Sequence, residues 1–171
     1  MSKEFVILVD EHNKEIGLME KQEAHEKALL HRAFSVFVFN TGNELLLQQR
    51  SLHKYHSGGL WTNTCCSHPR SNETTLDAAH RRLKDEMGFD CDLAERFHFV
   101  YHAKLDNGLT EHELDFIYTG TFNGTPDINT SEVQAYKWLP MEKVIADVND
   151  HPGLYTVWFK IILDKYLENV V

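Results

Sequence analysis

Four groups of residues in this chain carry chemistry by type and spacing. Residues 61–69 read WTNTCCSHP, which sets Cys65 beside Cys66 and puts His68 two places after the second thiol. Neighbouring cysteines sit too close along the backbone for an unstrained disulfide. Each thiol is then a buried structural group, a metal ligand or a reacting group. Glu111 and Glu113 lie two apart in a β-rich run, so their carboxylates share one strand face while His112 points the other way. Carboxylates held together repel unless a cation or proton lies between them; a solvated strand face is the plain alternative. His25 and His31 do not share a helical face, and each alone reads as a core or surface residue. Taken jointly with His68, Glu111 and Glu113 they form a mixed nitrogen and oxygen set suited to Mn²⁺, Zn²⁺ or Mg²⁺ rather than a thiolate-rich structural zinc site. Glu86 follows Arg82 by four residues; alone, that is a surface pair worth about 0.3 kcal/mol.

The elements that must position these groups follow from pattern. EFVILVD is β-rich, and AFSVFVFN, TGN and ELLLQQR read as strand, turn and strand, a hairpin. MEKQEAHEKALLHR favours helix by propensity but has few apolar positions, so helix and ordered loop both fit. Arg50 to Pro69 reads as a long loop, with SGG and SHP as turn signals, and long ordered loops are disproportionately functional. Leu76, Ala79, Leu83 and Met87 predict a buried helical stripe over residues 73–87 that Gly88 ends. Strands at 96–105 and 109–122 are joined by DNG, and a short strand at 133–139 precedes a helix starting at Pro140. Tyr155, Trp158, Phe159, Ile162 and Tyr166 recur at helical spacing in the last segment, residues 152–169. An α+β domain results, a mixed, largely antiparallel sheet flanked by helices.

Composition bounds the rest. The 171 residues fit one domain with a core of its own. At 42% hydrophobic and 25% charged, with no apolar run near the length of a membrane span, a soluble protein is expected. The N-terminal apolar run is too short, and too soon followed by acidic residues, for a signal peptide. Three cysteines without framework spacing suit a reducing compartment, so a cytoplasmic protein is expected. A net charge of −9 argues against nucleic acid as a partner, and any anionic ligand must be met by a local cluster of bases. Residue types leave the oligomeric state open.

Together these stretches resemble the type I isopentenyl diphosphate isomerases, enzymes of the Nudix fold. LLHRAFSVFVFN, LLLQQRS, WTNTCCSHP, RRLKDEMG, EHELDF and VWFKII carry the resemblance, which spans nearly the whole chain. WTNTCCSHP combined with the Glu-x-Glu strand is its most specific part; the helix motif alone says only Nudix. Against a Nudix hydrolase box, Ser67 replaces the leading Gly and Glu73 matches, but Arg82 stands where a core Glu belongs and Asp85 replaces another. Hydrolysis needs a carboxylate cluster holding metals that activate water. Exchanging a carboxylate for Arg moves the site towards holding a diphosphate intact, and so away from the rival reading, a Nudix hydrolase of a nucleoside diphosphate derivative.

The resemblance implies roles position by position. Cys66 and Glu113 are the two groups that exchange protons with the hydrocarbon, from opposite faces. Tyr101 is the tyrosine that hydrogen-bonds near the catalytic carboxyl, and Trp158 the indole that faces a carbocation, although spacing alone would make Trp158 a core residue. Lys21, Arg50, Lys54 and Arg82 contact the diphosphate of a small isoprenoid substrate. One divalent metal sits on His25, His31, His68, Glu111 and Glu113, and Mg²⁺ accompanies the diphosphate at Glu86. Cys65 is expected to pack as a small hydrophobe.

Overall fold

The computed structural model describes residues 3–170, Val170 through its backbone alone. Its centre is β3 (His31–Phe39), which reads HRAFSVFVF and is buried along almost its whole length. A strand covered on both faces needs apolar side chains at nearly every position, and that is why this run does not alternate. On one side β3 pairs in parallel with β8 (Thr110–Thr121), in a register that sets His31 beside Glu113. On its other side it pairs antiparallel with β6 (Cys65–Ser67), setting Ser35 beside Cys66 and Val36 beside Cys65.

The remaining strands extend this frame. β1 (Phe5–Val9) and β2 (Glu15–Glu20) form a hairpin that meets the start of β3 at Leu8 and His31. β4 (Glu44–Arg50) carries β5 (Trp61–Thr62) and β9 (Val133–Pro140). β7 (Ala94–Lys104) pairs with β8 across a turn at Asp106–Gly108. The expected hairpin between β3 and β4 forms, but its strands pair only at Phe39 and Leu45 and then diverge. That divergence admits β6 beside β3, and it makes part of the stretch expected to be loop into sheet. Residues 51–60 remain loop. The strand at 15–20, unforeseen in the sequence, is half exposed and edge-like, so its pattern is faint.

Helices cover both faces. α2 (Thr75–Met87) starts where the Thr74 side chain accepts the Asp77 amide at 3.0 Å, and ends at Gly88 with φ 71°. There a side chain would be strained twice, because a Cβ would come within 2.2 Å of the Asp127 carbonyl oxygen. That close approach lets the Asp127 and Asn129 amides donate to the Met87 and Glu86 carbonyls, satisfying the helix end. Ala78, Ala79, Leu83 and Met87 pack into a core with Phe34, Val36, Val38 and Cys65, whereas Leu76, expected in that stripe, is 38% exposed.

On the opposite face α4 (Val157–Val170) buries Trp158, Phe159, Ile162, Leu163 and Tyr166 against Phe37, Leu47, Tyr101 and Ile117. Tyr155 joins that core from just before the helix rather than from within it. α1 (Lys21–Glu26) is a short helix followed by a turn into β3, so the ambiguous stretch is helix first and loop second. α3 (Met141–Asp150) follows Pro140, which caps it instead of opening it. No helix among the described residues is long and apolar enough to cross a membrane.

Candidate active site

The paired thiols part company because they lie in a strand. Successive β6 side chains point to opposite faces, so Cys65 enters the core beneath α2 and Cys66 turns to the face covered by α4. His68 follows Cys66 at strand spacing, and across β3 the Glu111 and Glu113 carboxyls reach the same cavity as Cys66 and His68. Trp158 directs its indole N–H at the Cys66 sulfur, 3.2 Å away. Burial pushes the Cys66 thiol well above its usual pKa, against the opposing pull of Arg50, so the thiol keeps its proton at neutral pH. Cys65 packs as expected and does one thing more: its S–H lies 2.9 Å from Glu86 Oε2.

The three histidines gather. His25, His31 and His68 offer nitrogen atoms within 4.8 Å of one another. Burial first, and the neighbouring charges second, lower their pKa values to about 2, 3 and 3 respectively, so neutral imidazoles face each other at ordinary pH. His31 Nδ1 lies 2.8 Å from the Leu29 carbonyl, which fixes its N–H there and leaves Nε2 as a lone pair. That Nε2 and the His25 Nε2 are buried without a partner among the described residues. Glu113 Oε2 stands 3.8 Å from His31 Nε2 and 3.2 Å from His68 Nε2. The His68 contact is within hydrogen-bonding distance, whereas the unpartnered Nε2 atoms of His25 and His31 suit a cation between them and the carboxylate. The donor set fits a divalent metal.

Tyr101 joins the carboxylates from β7. Its hydroxyl oxygen lies 2.8 Å from Glu111 Oε2 and 2.6 Å from Glu113 Oε1. A phenol has one proton, so both short contacts are satisfied when one carboxyl of the pair is protonated and donates to the phenol oxygen. Burial raises the proton affinity of both carboxyls in the same direction.

The four bases line the cavity. Lys21 pairs with Glu4 at 2.5 Å, Lys54 pairs with Glu132, and Arg82 lies 3.6 Å from Glu86 and 3.7 Å from Glu132. Arg50 stacks over Trp158 at 5.0 Å from the ring centre and donates to the His56 carbonyl. The Nε–H groups of Arg50 and Arg82 are buried without a partner among the described residues, a donor surplus that an anion would satisfy. Every residue to which the resemblance gives a catalytic, substrate-binding or metal-binding role lines this cavity, except His31, which sits against Glu113. Glu86 stands on the α2 side with Arg82, apart from the histidine cluster.

Sequence reasoning overlooked several neighbours. Glu4, Tyr55, His56 and Glu132 also line the cavity. Asp115 was within reach, since it continues the alternation of Glu111 and Glu113; it is fully buried, and one of its oxygens accepts from Ser35 at 2.8 Å.

Comparisons with known proteins identify the family. A NUDIX domain profile matches residues 29–159. Isopentenyl-diphosphate Delta-isomerase 2 of Photorhabdus laumondii is 52% identical, over 94% of this chain and 91% of its own length. Isopentenyl-diphosphate Delta-isomerase 2 of Aromatoleum aromaticum is 48% identical over 95% of this chain and 86% of its own length. Among solved structures, a Deinococcus radiodurans protein superposes with a TM-score of 0.72 at 18% identity, covering 86% of this chain and 90% of that one. A MutT protein from Methanosarcina mazei gives 0.66 at 16% identity, over 83% and 96% of the two chains. The structural likenesses carry the fold, and the sequence identities carry the family: this chain belongs to the isopentenyl-diphosphate Delta-isomerases of the NUDIX superfamily.

Proposed function

We propose that this protein interconverts isopentenyl diphosphate and dimethylallyl diphosphate, in isoprenoid biosynthesis, by protonation and deprotonation through a carbocation. The observation that carries the reading is a partly buried thiol and a buried carboxyl, Cys66 and Glu113, reaching one base-lined cavity from strands on opposite sides of β3. An alkene is a very weak base, so its proton donor must be held close and its cation kept from water. Cys66 and Glu113 exchange the two protons, one at each end of the allylic unit.

Tyr101 holds the Glu111 and Glu113 carboxyls in place through its hydroxyl. The Trp158 ring faces the developing cation, an attraction of about 2 kcal/mol when desolvated. Lys21, Arg50, Lys54 and Arg82 bind the diphosphate, which replaces Glu4 and Glu132 as partner of the two lysines. His25, His31, His68, Glu111 and Glu113 would hold Mn²⁺, Zn²⁺ or Mg²⁺, whose charge lowers the proton affinity of the carboxyls. Glu86 would hold Mg²⁺ brought with the diphosphate.

Incubation with isopentenyl diphosphate and Mg²⁺ tests the proposal by product chromatography and phosphate release. Dimethylallyl diphosphate without released phosphate is the expected result. Phosphate release from nucleoside diphosphate derivatives, with no isomer formed, would replace this reading with hydrolysis.

A further inference from the structure

We propose that Tyr55 is a positioning residue for the metal centre: its hydroxyl oxygen accepts the Nδ1–H of His25, which leaves the His25 Nε2 lone pair aimed at His31 and His68. The inference rests on the metal reading above and assigns a part to a loop residue outside the ligand set. His25 Nδ1 lies 2.8 Å from the Tyr55 hydroxyl, and the two rings are stacked at 18°. A neutral imidazole carries one N–H. If that proton sat on Nε2, it would be buried among histidines without an acceptor, because His25 Nε2 has no partner among the described residues. His31 is organised in the same sense by the Leu29 carbonyl. One ligand is thus oriented by backbone and the other by a replaceable side chain.

Tyr55 and its loop are themselves held by the turn between β7 and β8. Asn107 donates to the Tyr55 carbonyl at 3.1 Å, and the Asp106 carboxylate accepts the Ser57 amide at 3.2 Å. Ser57 sits at φ 55°, a conformation uncommon for a serine. Asp106 and Asn107 belong to the turn that launches β8 towards Glu111 and Glu113. A single turn therefore sets the carboxylate ligands directly and His25 through Tyr55.

The test titrates the metal-free full chain with Mn²⁺, following free ion by electron paramagnetic resonance. Tyr55→Phe is expected to weaken binding about 10- to 100-fold, the usual loss on removing the partner of a ligating histidine. Asn107→Ala keeps the hydroxyl but frees the loop, and is expected to weaken binding by less. A long-range ¹H–¹⁵N imidazole spectrum of the metal-free protein supplies a readout that a merely structural role would not move. In the native chain His25 carries its proton on Nδ1; in Tyr55→Phe that preference is lost. Mn²⁺ affinity within about twofold of native in Tyr55→Phe, alongside a large loss in His25→Ala, would overturn the inference and leave the metal reading standing. Unchanged affinity in His25→Ala as well would overturn both.

Discussion

Cys65 and Cys66 show how one residue step separates two fates. A strand sends consecutive side chains to opposite faces, so the thiol beneath α2 packs and the thiol beneath α4 meets the cavity. Cys65→Ala removes one weak hydrogen bond and one small buried atom, and is expected to cost about 1 kcal/mol in urea unfolding. Its isomerase activity should stay within a few-fold of native, because the change lies on the other face of the strand from Cys66. Loss of activity as complete as in Cys66→Ala would contradict this division. At this scale the motif residues were legible and their neighbours were not. Cys66, Glu113 and the histidines carry type and spacing that point to chemistry, whereas Tyr55 is placed by hydrogen bonds to a turn about fifty positions away along the chain. No local pattern encodes such a contact.

Long periodic elements were readable and short ones were not. α2, β3, β8 and the final helix announce themselves by stripe, composition and terminator, since each is long enough to repeat its period. β5 and β6 contain two and three residues, too few for any period, and exist because β3 and β4 diverge beside them.

α2 also shows a motif residue put to a different use. Glu73 matches the Nudix box, yet here it accepts two hydrogen bonds from Arg81, each 2.8 Å, and one from the Arg70 amide, tying the incoming loop to the helix. Those hydrogen bonds hold its pKa below the usual 4.5, against a smaller opposing effect of burial. A carboxylate so lowered contributes stability above its unfolded pKa and loses it as pH falls through the folded value. Glu73→Gln is therefore expected to be about 1 kcal/mol less stable than native at neutral pH, a bidentate pair that is mostly covered. The gap should narrow in urea titrations as the pH falls below the usual carboxyl value of 4.5 and through the lowered folded one. A gap that stays constant or widens on acidification would assign Glu73 no such linkage.

On the scale of the molecule, a chain of net charge −9 concentrates four bases around one cavity and pairs three of them, Lys21, Lys54 and Arg82, with Glu4, Glu132 and Glu86. Composition foretold the need for a local cluster but not its place. That place depends on β3, whose two neighbours bring Cys66 and Glu113 from far apart in sequence to one pocket between the helical layers. Isomerisation in deuterated water tests that convergence most directly. Turnover of isopentenyl diphosphate with Mg²⁺ should place deuterium from solvent in the dimethylallyl product, and Cys66→Ala or Glu113→Gln, folded and with intact diphosphate binding, should abolish both label and product. Product formed without solvent deuterium, or undiminished turnover in either variant, would contradict a thiol and a carboxyl exchanging protons across the cavity.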